Sequence, residues 1–359
     1  MLAHSLHVDA TDRFGLDQLR RACRVDPQAV RRFCTALFKH GLDDGQSLAA
    51  LPREMADRVR LHSLELHRCC DSQQDGASKL LFRTQQGMLI EAVVLRIATG
   101  RTTLCVSSQV GCAAACEFCA TGKMGIARNL SAAEIVDQMV QANQMLREED
   151  RRIRNLVFMG MGEPFHNEEN VYQALEMLLE PRQFHHPASR ILVSTVGLPE
   201  AMIRCAGRFP SVNLALSLHS VRQEVRERLI PLAAQNPLSE LRRAIAAVNR
   251  IQSERGGSSS ATVMIEYLML AGVNDSDDDA AELAAWLSGL AVHANLIPFN
   301  PIDGAPDLTA SPQRVRDRFA RRLKRAGIPT TIRYSLGADV AAACGQLVRR
   351  ENRETARGG

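Results

Sequence analysis

Lysine is scarce in this chain of 359 residues and occurs only as Lys39, Lys79, Lys123 and Lys324. Almost all of the 44 basic residues are therefore arginine, which suits the planar recognition of phosphate, although the base composition of a genome explains the bias equally well. The 40 acidic residues leave a net charge of only +4. This balance excludes a chain coated in positive charge but leaves room for local basic surfaces.

Long apolar stretches are also missing, because no run approaches the roughly 18 uninterrupted apolar residues that indicate a transmembrane helix. The first residues lack the basic region and apolar run of a secretory signal, so we expect the ten cysteines to remain reduced in the cytoplasm, with no membrane contact. No internal repeat or low-complexity block is present. With 45% hydrophobic and 23% charged residues, the sequence predicts one large domain with an appendage, or two domains.

Three cysteines, Cys112, Cys116 and Cys119, lie close together with gaps of three and then two residues. This spacing lets a tight loop gather its sulfurs around one metal centre, and soft thiolates select zinc, copper(I) or iron–sulfur clusters. The loop contains no fourth Cys or His, so three thiolates on a four-iron cluster would leave one iron open. Two alternatives remain: a zinc site completed by a distant ligand, and ordinary buried thiols.

The order of the predicted elements indicates the fold class. Short helices are predicted up to residue 75, including one from near Pro52 to about His67, and strands follow up to the cysteine loop. Beyond the loop, strands alternate with helices, which predicts an α/β fold with a parallel sheet. We divide the chain into a helical accessory domain (1–75), a β-rich connection (76–103), the main domain (104–347) and a basic tail (348–359).

Polar residues follow the predicted parallel strands, at the edge where the loops of such sheets converge and chemistry gathers. One polar residue at a strand end would be unremarkable, but several at one edge indicate a site. The candidates are Gly162, Glu163, Ser194, Ser217, Leu218, His219 and Asn300.

Several longer motifs resemble the RlmN/Cfr family of radical S-adenosylmethionine (SAM) methyltransferases, which modify an adenosine of 23S ribosomal RNA. The similarity covers about residues 91–347. It is carried by Leu104-Cys-Val-Ser-Ser-Gln-Val-Gly-Cys112, Phe158-Met-Gly-Met-Gly-Glu-Pro164, Leu216-Ser-Leu-His-Ser220, Asn295-Leu-Ile-Pro-Phe-Asn-Pro301 and Ala342-Ala-Cys-Gly-Gln-Leu347. The resemblance implies a partial (β/α)6 radical SAM barrel with a small N-terminal helical accessory domain associated with RNA.

The resemblance also implies roles for individual residues. Cys112, Cys116 and Cys119 would hold a [4Fe–4S] cluster, and the polar strand-end residues, beginning with Gly162 and Glu163, would bind SAM. Cys344 would become S-methylated and carry the methyl-derived carbon to RNA. Cys105 would resolve the protein–RNA adduct through a transient disulfide with Cys344, and Glu91 would accept a proton.

Chemistry explains why the family needs two cysteines beyond the cluster. The target is a C–H carbon of adenine, which is not nucleophilic, whereas a cysteine thiolate is. The thiolate can take a methyl group from one SAM. A second SAM, cleaved with an electron from the cluster, then gives the radical that activates this methyl group for addition to the base.

Several alternatives stay open. The methylated carbon is C2 or C8, the RNA is 23S ribosomal RNA or a transfer RNA, and the electron donor is a protein such as a flavodoxin or a ferredoxin. Other interpretations are a radical SAM enzyme of another reaction type, acting on tRNA or a cofactor, and a non-catalytic RNA-binding protein whose cysteines hold zinc.

Overall fold

The computed structural model describes residues 7–255, 262–333 and 336–347. The strands are β1 (Val8–Asp9), β2 (Val59–Arg60), β3 (Leu64–Asp71), β4 (Ala77–Thr84), β5 (Leu89–Arg96), β6 (Thr102–Cys105), β7 (Gln109–Gly111), β8 (Ile126–Asn129), β9 (Asn155–Phe158), β10 (Ile191–Thr195), β11 (Asn213–Ser217), β12 (Val263–Met269), β13 (Val292–Pro298) and β14 (Thr330–Ile332). The helices are α1 (Arg13–Ala22), α2 (Pro27–Cys34), α3 (Asp44–Leu48), α4 (Arg53–Ala56), α5 (Ala132–Arg147), α6 (Glu168–Leu179), α7 (Pro199–Arg208), α8 (Gln223–Leu229), α9 (Leu238–Arg255), α10 (Asp277–Leu287) and α11 (Gln313–Arg325).

One ten-stranded sheet dominates these residues, in the order β14-β13-β12-β11-β10-β9-β6-β5-β4-β3. The strands from β6 to β14 in this sheet are parallel, whereas β5, β4 and β3 continue it as antiparallel neighbours. Helices α5, α6, α7, α9, α10 and α11 each connect one parallel strand to the next. The six predicted β/α units, starting from β6, are therefore confirmed, and none of the described helices is long and apolar enough to span a membrane.

Local sequence signals account for the helix starts that set this frame. Ser131 accepts a hydrogen bond from the Glu134 amide, and the Glu134 side chain accepts one from the Ser131 amide, which together form a capping box at the start of α5. Ser276 and Asp279 form a second capping box at α10. The parallel strands are apolar and largely buried, as expected for strands that are covered on both faces.

The predicted helix from Pro52 to His67 is wrong. Helix α4 ends at Ala56, and residues 64–71 form β3, which pairs with β4 at the edge of the sheet. Only Leu64 of this edge strand is buried, so burial of one face does not specify a strand here. Pairing with β4 decides its structure instead. The division of the chain at residue 75 stays a prediction, and the predicted tail 348–359 lies outside the described residues.

A half-buried histidine, His62, connects the N-terminal region to α5, the first helix that covers the main sheet. His62 Nδ1 lies 2.7 Å from Asp137 Oδ1 on α5, and its Nε2 lies 2.9 Å from Asp44 Oδ1 on α3. Burial opposes protonation, but the two carboxylates outweigh it and raise the pKa of His62 to about 9. Asp137 also accepts hydrogen bonds from the amides of Ser63 and Leu64.

This pKa shift predicts a pH-dependent stability. Because the folded pKa lies above the unfolded value of 6.5, the contribution of His62 is complete below pH 6.5 and is lost as the pH rises through 9. At pH 6 we expect His62→Gln to lower the free energy of unfolding by up to about 3 kcal/mol, and the deficit to shrink to about 1 kcal/mol at pH 10. Urea unfolding at both pH values measures this, with the exposed His67→Gln as the control. A deficit that does not change with pH would contradict the prediction.

Candidate active site

Predicted site residues from separate strand ends meet in a cavity of about 150 Å³ at the carboxyl edge of the parallel strands. We call it the cluster cavity. Of the predicted residues, those that line it are Cys112, Cys116, Cys119, Gly162, Glu163, Ser194, Ser217, His219 and Cys344. Residues predicted on five different segments of sequence are therefore brought together. Leu218, Asn300, Glu91 and Cys105 do not line this cavity.

The cysteine loop is closed by a two-stranded hairpin of β7 and β8. The Cys112 amide donates to the carbonyl oxygen of Gly125 at 2.9 Å, and Gly111, with φ +83°, allows this approach because a Cβ there would lie 2.0 Å from that same oxygen. Within the loop, the Cys119 amide donates to the Cys116 carbonyl at 3.2 Å. These short-range contacts direct the three sulfurs to one cavity.

The chemistry of the three thiols fits an iron–sulfur cluster. Burial raises the pKa of Cys112 to about 12 and raises the pKa values of Cys116 and Cys119, so each thiol keeps its proton unless a cation compensates the thiolate. Thiolates are the ligands of iron–sulfur clusters. Among the described residues, no three His, Cys, Asp or Glu side chains are arranged to hold a single metal ion.

Glu163 presents a buried carboxylate to the cluster cavity. Its oxygens accept hydrogen bonds from the amides of Val196 at 2.8 Å and Phe165 at 3.1 Å. Burial raises the pKa of Glu163 to about 7, since these two amides only partly offset the loss of water. Gly162 has φ +107°, and a Cβ there would lie 2.7 Å from the Gln109 side chain. The fixed carboxylate can pair with a ligand ammonium group.

A buried arginine that the sequence analysis missed, Arg226, supports the backbone of this cavity. Arg226 on α8 is fully buried and donates to the carbonyl oxygens of Ser217, Leu218 and Val196. Leu218 therefore belongs to the supported backbone rather than to the lining. Nothing in the sequence distinguishes Arg226 from the solvent-exposed arginines of other helices.

His219 is held as a neutral ring. Burial, followed by the charge of Arg226, lowers the pKa of His219 to about 3. Its Nδ1 accepts a hydrogen bond from the Leu268 amide at 3.1 Å, which leaves the proton on Nε2. The ring meets Phe118 edge-on with centroids 4.8 Å apart. His219 can therefore offer a hydrogen-bond donor without a charge.

A second cavity, of about 780 Å³, adjoins the first and contains both of the additional predicted cysteines. We call it the thiol cavity. Cys105, at the end of β6, lines it together with Cys344, and Cys344 and Cys119 line both cavities. All ten cysteines are free thiols, so the predicted disulfide between Cys105 and Cys344 is absent from this structure and stays a prediction.

The segment that carries Cys344 is held at both ends by distant parts of the chain. Near Cys344, Ala120 of the cysteine loop donates to the Gly345 carbonyl at 2.7 Å, and Asn300 donates to the Cys344 carbonyl at 3.2 Å. At its other end, the Gly337 amide donates to Asp75 at 2.8 Å. Asn300, predicted to bind SAM, lines neither cavity but positions the backbone of Cys344.

Arg333 is a second functional candidate that the sequence analysis missed. It follows β14 at the same edge of the sheet, lines both cavities and is half-buried. Ionised Cys344 raises the pKa of Arg333, and Glu266 and Cys105 add smaller contributions of the same sign. Burial raises the pKa of Cys105 to about 12, and the charge of Arg333 opposes part of that rise. Arg333 falls within the last strand that the sequence predicts, residues 330–334, and this position was the signal that could have identified it.

Glu91 is buried on β5, and its Oε1 lies 3.9 Å from Lys79 Nζ. Lys79 also donates to the Ala341 carbonyl at 3.4 Å, three residues before Cys344. Glu91 lines neither cavity, but it lies on the same face of β5 as Val93, which lines the thiol cavity.

Comparison with known proteins agrees with this geometry. Residues 106–284 match the radical SAM superfamily. A protein from Rhodopirellula baltica named a probable RNA methyltransferase is 55% identical over 95% of this chain and 88% of its own length. A protein from Thermus thermophilus named a probable dual-specificity RNA methyltransferase RlmN is 41% identical over 87% of this chain and 86% of its own.

A solved structure is similar over nearly the whole chain. The crystal structure of a radical SAM methyltransferase from Sphaerobacter thermophilus superposes with a TM-score of 0.85 at 40% identity, covering 97% of this chain and 99% of that one. This similarity confirms the predicted α/β radical SAM fold.

Proposed function

We propose a reaction for this chain from its family, since it belongs to the RlmN/Cfr family of radical SAM RNA methyltransferases. The chain transfers a methyl-derived carbon from SAM, through Cys344, to C2 or C8 of an adenosine in 23S ribosomal RNA, with transfer RNA as the second candidate. The observation that carries this proposal is the position of Cys344, which lines the cluster cavity and the thiol cavity together.

The two cavities support separate tasks for the same cysteine. In the cluster cavity, Cys112, Cys116 and Cys119 would hold a [4Fe–4S] cluster and Glu163 would pair with the SAM amino group, with Ser194, Ser217 and His219 around it. The bound cluster would supply the electron that cleaves SAM, drawn from a cytoplasmic donor such as a flavodoxin or ferredoxin. The volume of the thiol cavity, about 780 Å³, suits a nucleoside flipped out of an RNA strand.

Cys344 acts first as a nucleophile. Its thiolate, which shares both cavities with the Arg333 guanidinium, displaces S-adenosylhomocysteine from the methyl group of SAM, so that a carbon–sulfur bond forms on Cys344 as the sulfonium bond breaks. After the carbon has been joined to adenine, the Cys105 thiolate attacks the Cys344 sulfur. As the disulfide forms, the bond between the Cys344 sulfur and the transferred carbon breaks, and its electron pair stays on that carbon, which takes up a proton and becomes the methyl group of the released base. The external donor then reduces the disulfide. Glu91, on the same side of β5 as the thiol cavity, would accept the proton lost from the base.

Nucleoside mass spectrometry of RNA tests this proposal. Ribosomal and transfer RNA from cells with and without the gene are digested separately and compared. We expect 2-methyladenosine or 8-methyladenosine in ribosomal RNA to disappear with the gene. If either nucleoside disappears from transfer RNA alone, transfer RNA is the substrate. Unchanged amounts of both nucleosides in both RNA pools would reject the proposal.

The proposed role of Cys105 predicts an accumulating intermediate. Cys105→Ala should still take up a methyl group on Cys344, because Cys105 does not take part in that displacement, but it should not release the product. We expect a covalent protein–RNA adduct, seen as a shifted band that nuclease treatment collapses, and turnover reduced by a factor of about 10³. Cys23→Ala, outside both cavities, serves as the control. Full turnover without Cys105 would contradict the role.

A further inference from the structure

A second concave site lies at the opposite edge of the sheet. This cleft has a volume of about 560 Å³ and is formed by the segments that precede β6, β9 and β10, together with residues 38–41 of the N-terminal region. Because these segments precede the strands, the cleft lies at the amino edge of the sheet. The four residues of β9, about 13 Å long, separate it from the cluster cavity.

The charge of this cleft is strongly unbalanced. Its lining includes one carboxylate, Asp150, against six cationic side chains, and we call it the basic cleft. The cations are Lys39, Arg147, Arg151, Arg152, Arg154 and Arg190. Net charge across the whole chain is only +4, so this concentration is local. Converging guanidinium groups attract polyanions and match the oxygen atoms of phosphate.

Buried polar groups in the basic cleft also lack partners among the described residues. His186 is 8% exposed, lines the cleft, and its Nε2 makes no hydrogen bond there. Arg151 Nη1 is likewise buried without a hydrogen-bond partner in the described chain. A buried polar atom without a hydrogen bond destabilises the fold, so a ligand oxygen that met these atoms would remove that penalty.

The walls of the basic cleft are fixed before any ligand arrives. Phe38 and Phe184 pack with ring centroids 4.9 Å apart, which joins the N-terminal wall to the segment before β10. Arg147 donates to the His40 carbonyl at 3.3 Å, and the Ile153 amide donates to Asn143 at 2.9 Å. The cleft is therefore preformed, which lowers the entropic cost of binding.

We infer that the basic cleft binds the phosphodiester backbone of the RNA substrate at a point remote from the methylated base. The inference rests on the proposed function for the identity of the RNA. A strand or stem that enters the thiol cavity must continue around the side of the sheet to reach the cleft. Long RNA would then contact both sites, whereas an isolated stem-loop that only fills the thiol cavity would contact one.

Charge reversal in the full-length protein tests this inference. Arg152→Glu with Arg154→Glu changes two exposed side chains of the cleft, and Arg321→Glu with Arg325→Glu makes the same change on α11 as a matched control. We expect the cleft variant to bind a long ribosomal RNA fragment at least about tenfold more weakly in fluorescence anisotropy. The slope of log K against the logarithm of the salt concentration should become less steep by about two. Its affinity for a minimal stem-loop should stay within twofold of the unmodified protein.

Three results would overturn the inference. These are unchanged affinity for the long fragment, an equal loss with the stem-loop, or an equal loss in the α11 variant. Stabilisation of the unmodified protein by inorganic phosphate, with RNA binding unaffected by the cleft substitutions, would show a site for small anions only.

S-methylation of Cys344, which requires no RNA, is measured in parallel by mass spectrometry. If the unmodified protein lacks this methylation, the proposed function fails while the binding data still decide the role of the cleft.

Discussion

Replacing Cys344 with alanine is expected to abolish RNA methylation while leaving the iron–sulfur centre in place. Of the ten cysteines, Cys119 and Cys344 line both cavities. Cys119 is assigned to the cluster, so Cys344 is the thiol left to carry the methyl group. Alanine has no nucleophile to accept the methyl group, so methyl incorporation into RNA should fall by a factor of about 10³ or more. Incorporation from methyl-labelled SAM measures this loss.

The same variant distinguishes loss of the methyl-carrying thiol from loss of the iron–sulfur centre. Cys344→Ala should remain brown, retain the iron content of the unmodified protein and still cleave SAM reductively, because its change lies outside the cysteine loop. Cys23→Ala provides the matched control and should methylate RNA normally. If Cys344→Ala methylates RNA at an appreciable rate, the carrier mechanism is wrong and a different radical SAM reaction must be sought.

Serine at Cys116 should remove the cluster and, with it, every step that depends on reductive cleavage of SAM. Cys116 is 6% exposed, and its sulfur shares the cluster cavity with the two other loop thiols. A hydroxyl is a poor ligand for iron compared with a thiolate, so we expect the iron content to fall at least about tenfold and methylation to become undetectable. Iron and sulfide assays on anaerobically purified protein measure the change.

The matched control is Cys205→Ser, which makes the same substitution at a fully buried cysteine on α7, outside both cavities. It should cost folding stability without loss of iron. Chelation of iron from the unmodified protein should reproduce the Cys116→Ser result, and reconstitution with iron and sulfide should restore activity only in the unmodified protein. A fully active protein that contains zinc instead of iron would reject the cluster assignment.

The sequence predicted the parts of the site that short-range signals determine. The cysteine spacing and the polar strand ends were sufficient because parallel strands bring their carboxyl ends to one edge whatever their exact lengths. The edge strand β3 was mistaken for helix because its structure depends on pairing with β4, and most of its side chains are exposed on both faces. The local secondary-structure propensity of residues 64–71 does not depend on the strand with which they pair, so it could not predict this pairing.

Arg226 and Arg333 were missed for a related reason. Arg226 is buried and depends on three backbone carbonyl groups, whereas Arg333 is half-buried and lies among thiols. A sequence rich in arginine does not distinguish Arg226 from the exposed arginines, and Arg333 was marked only by its place in the last predicted strand. Asn300 was identified as a site residue, and its amide donates to the Cys344 carbonyl, while its contact with SAM stays a prediction.

The anchors of the Cys344 segment also set an order of assembly. The Ser72 hydroxyl donates to Asp339, the Thr121 hydroxyl donates to the Leu347 carbonyl, and the first of these contacts joins residues 267 positions apart. Such contacts carry the largest loop-closure cost and require nearly the whole chain to be synthesised. The cysteine loop is therefore complete and uncovered before Cys344 arrives, so a cluster can be inserted into an open site that the end of the chain later closes.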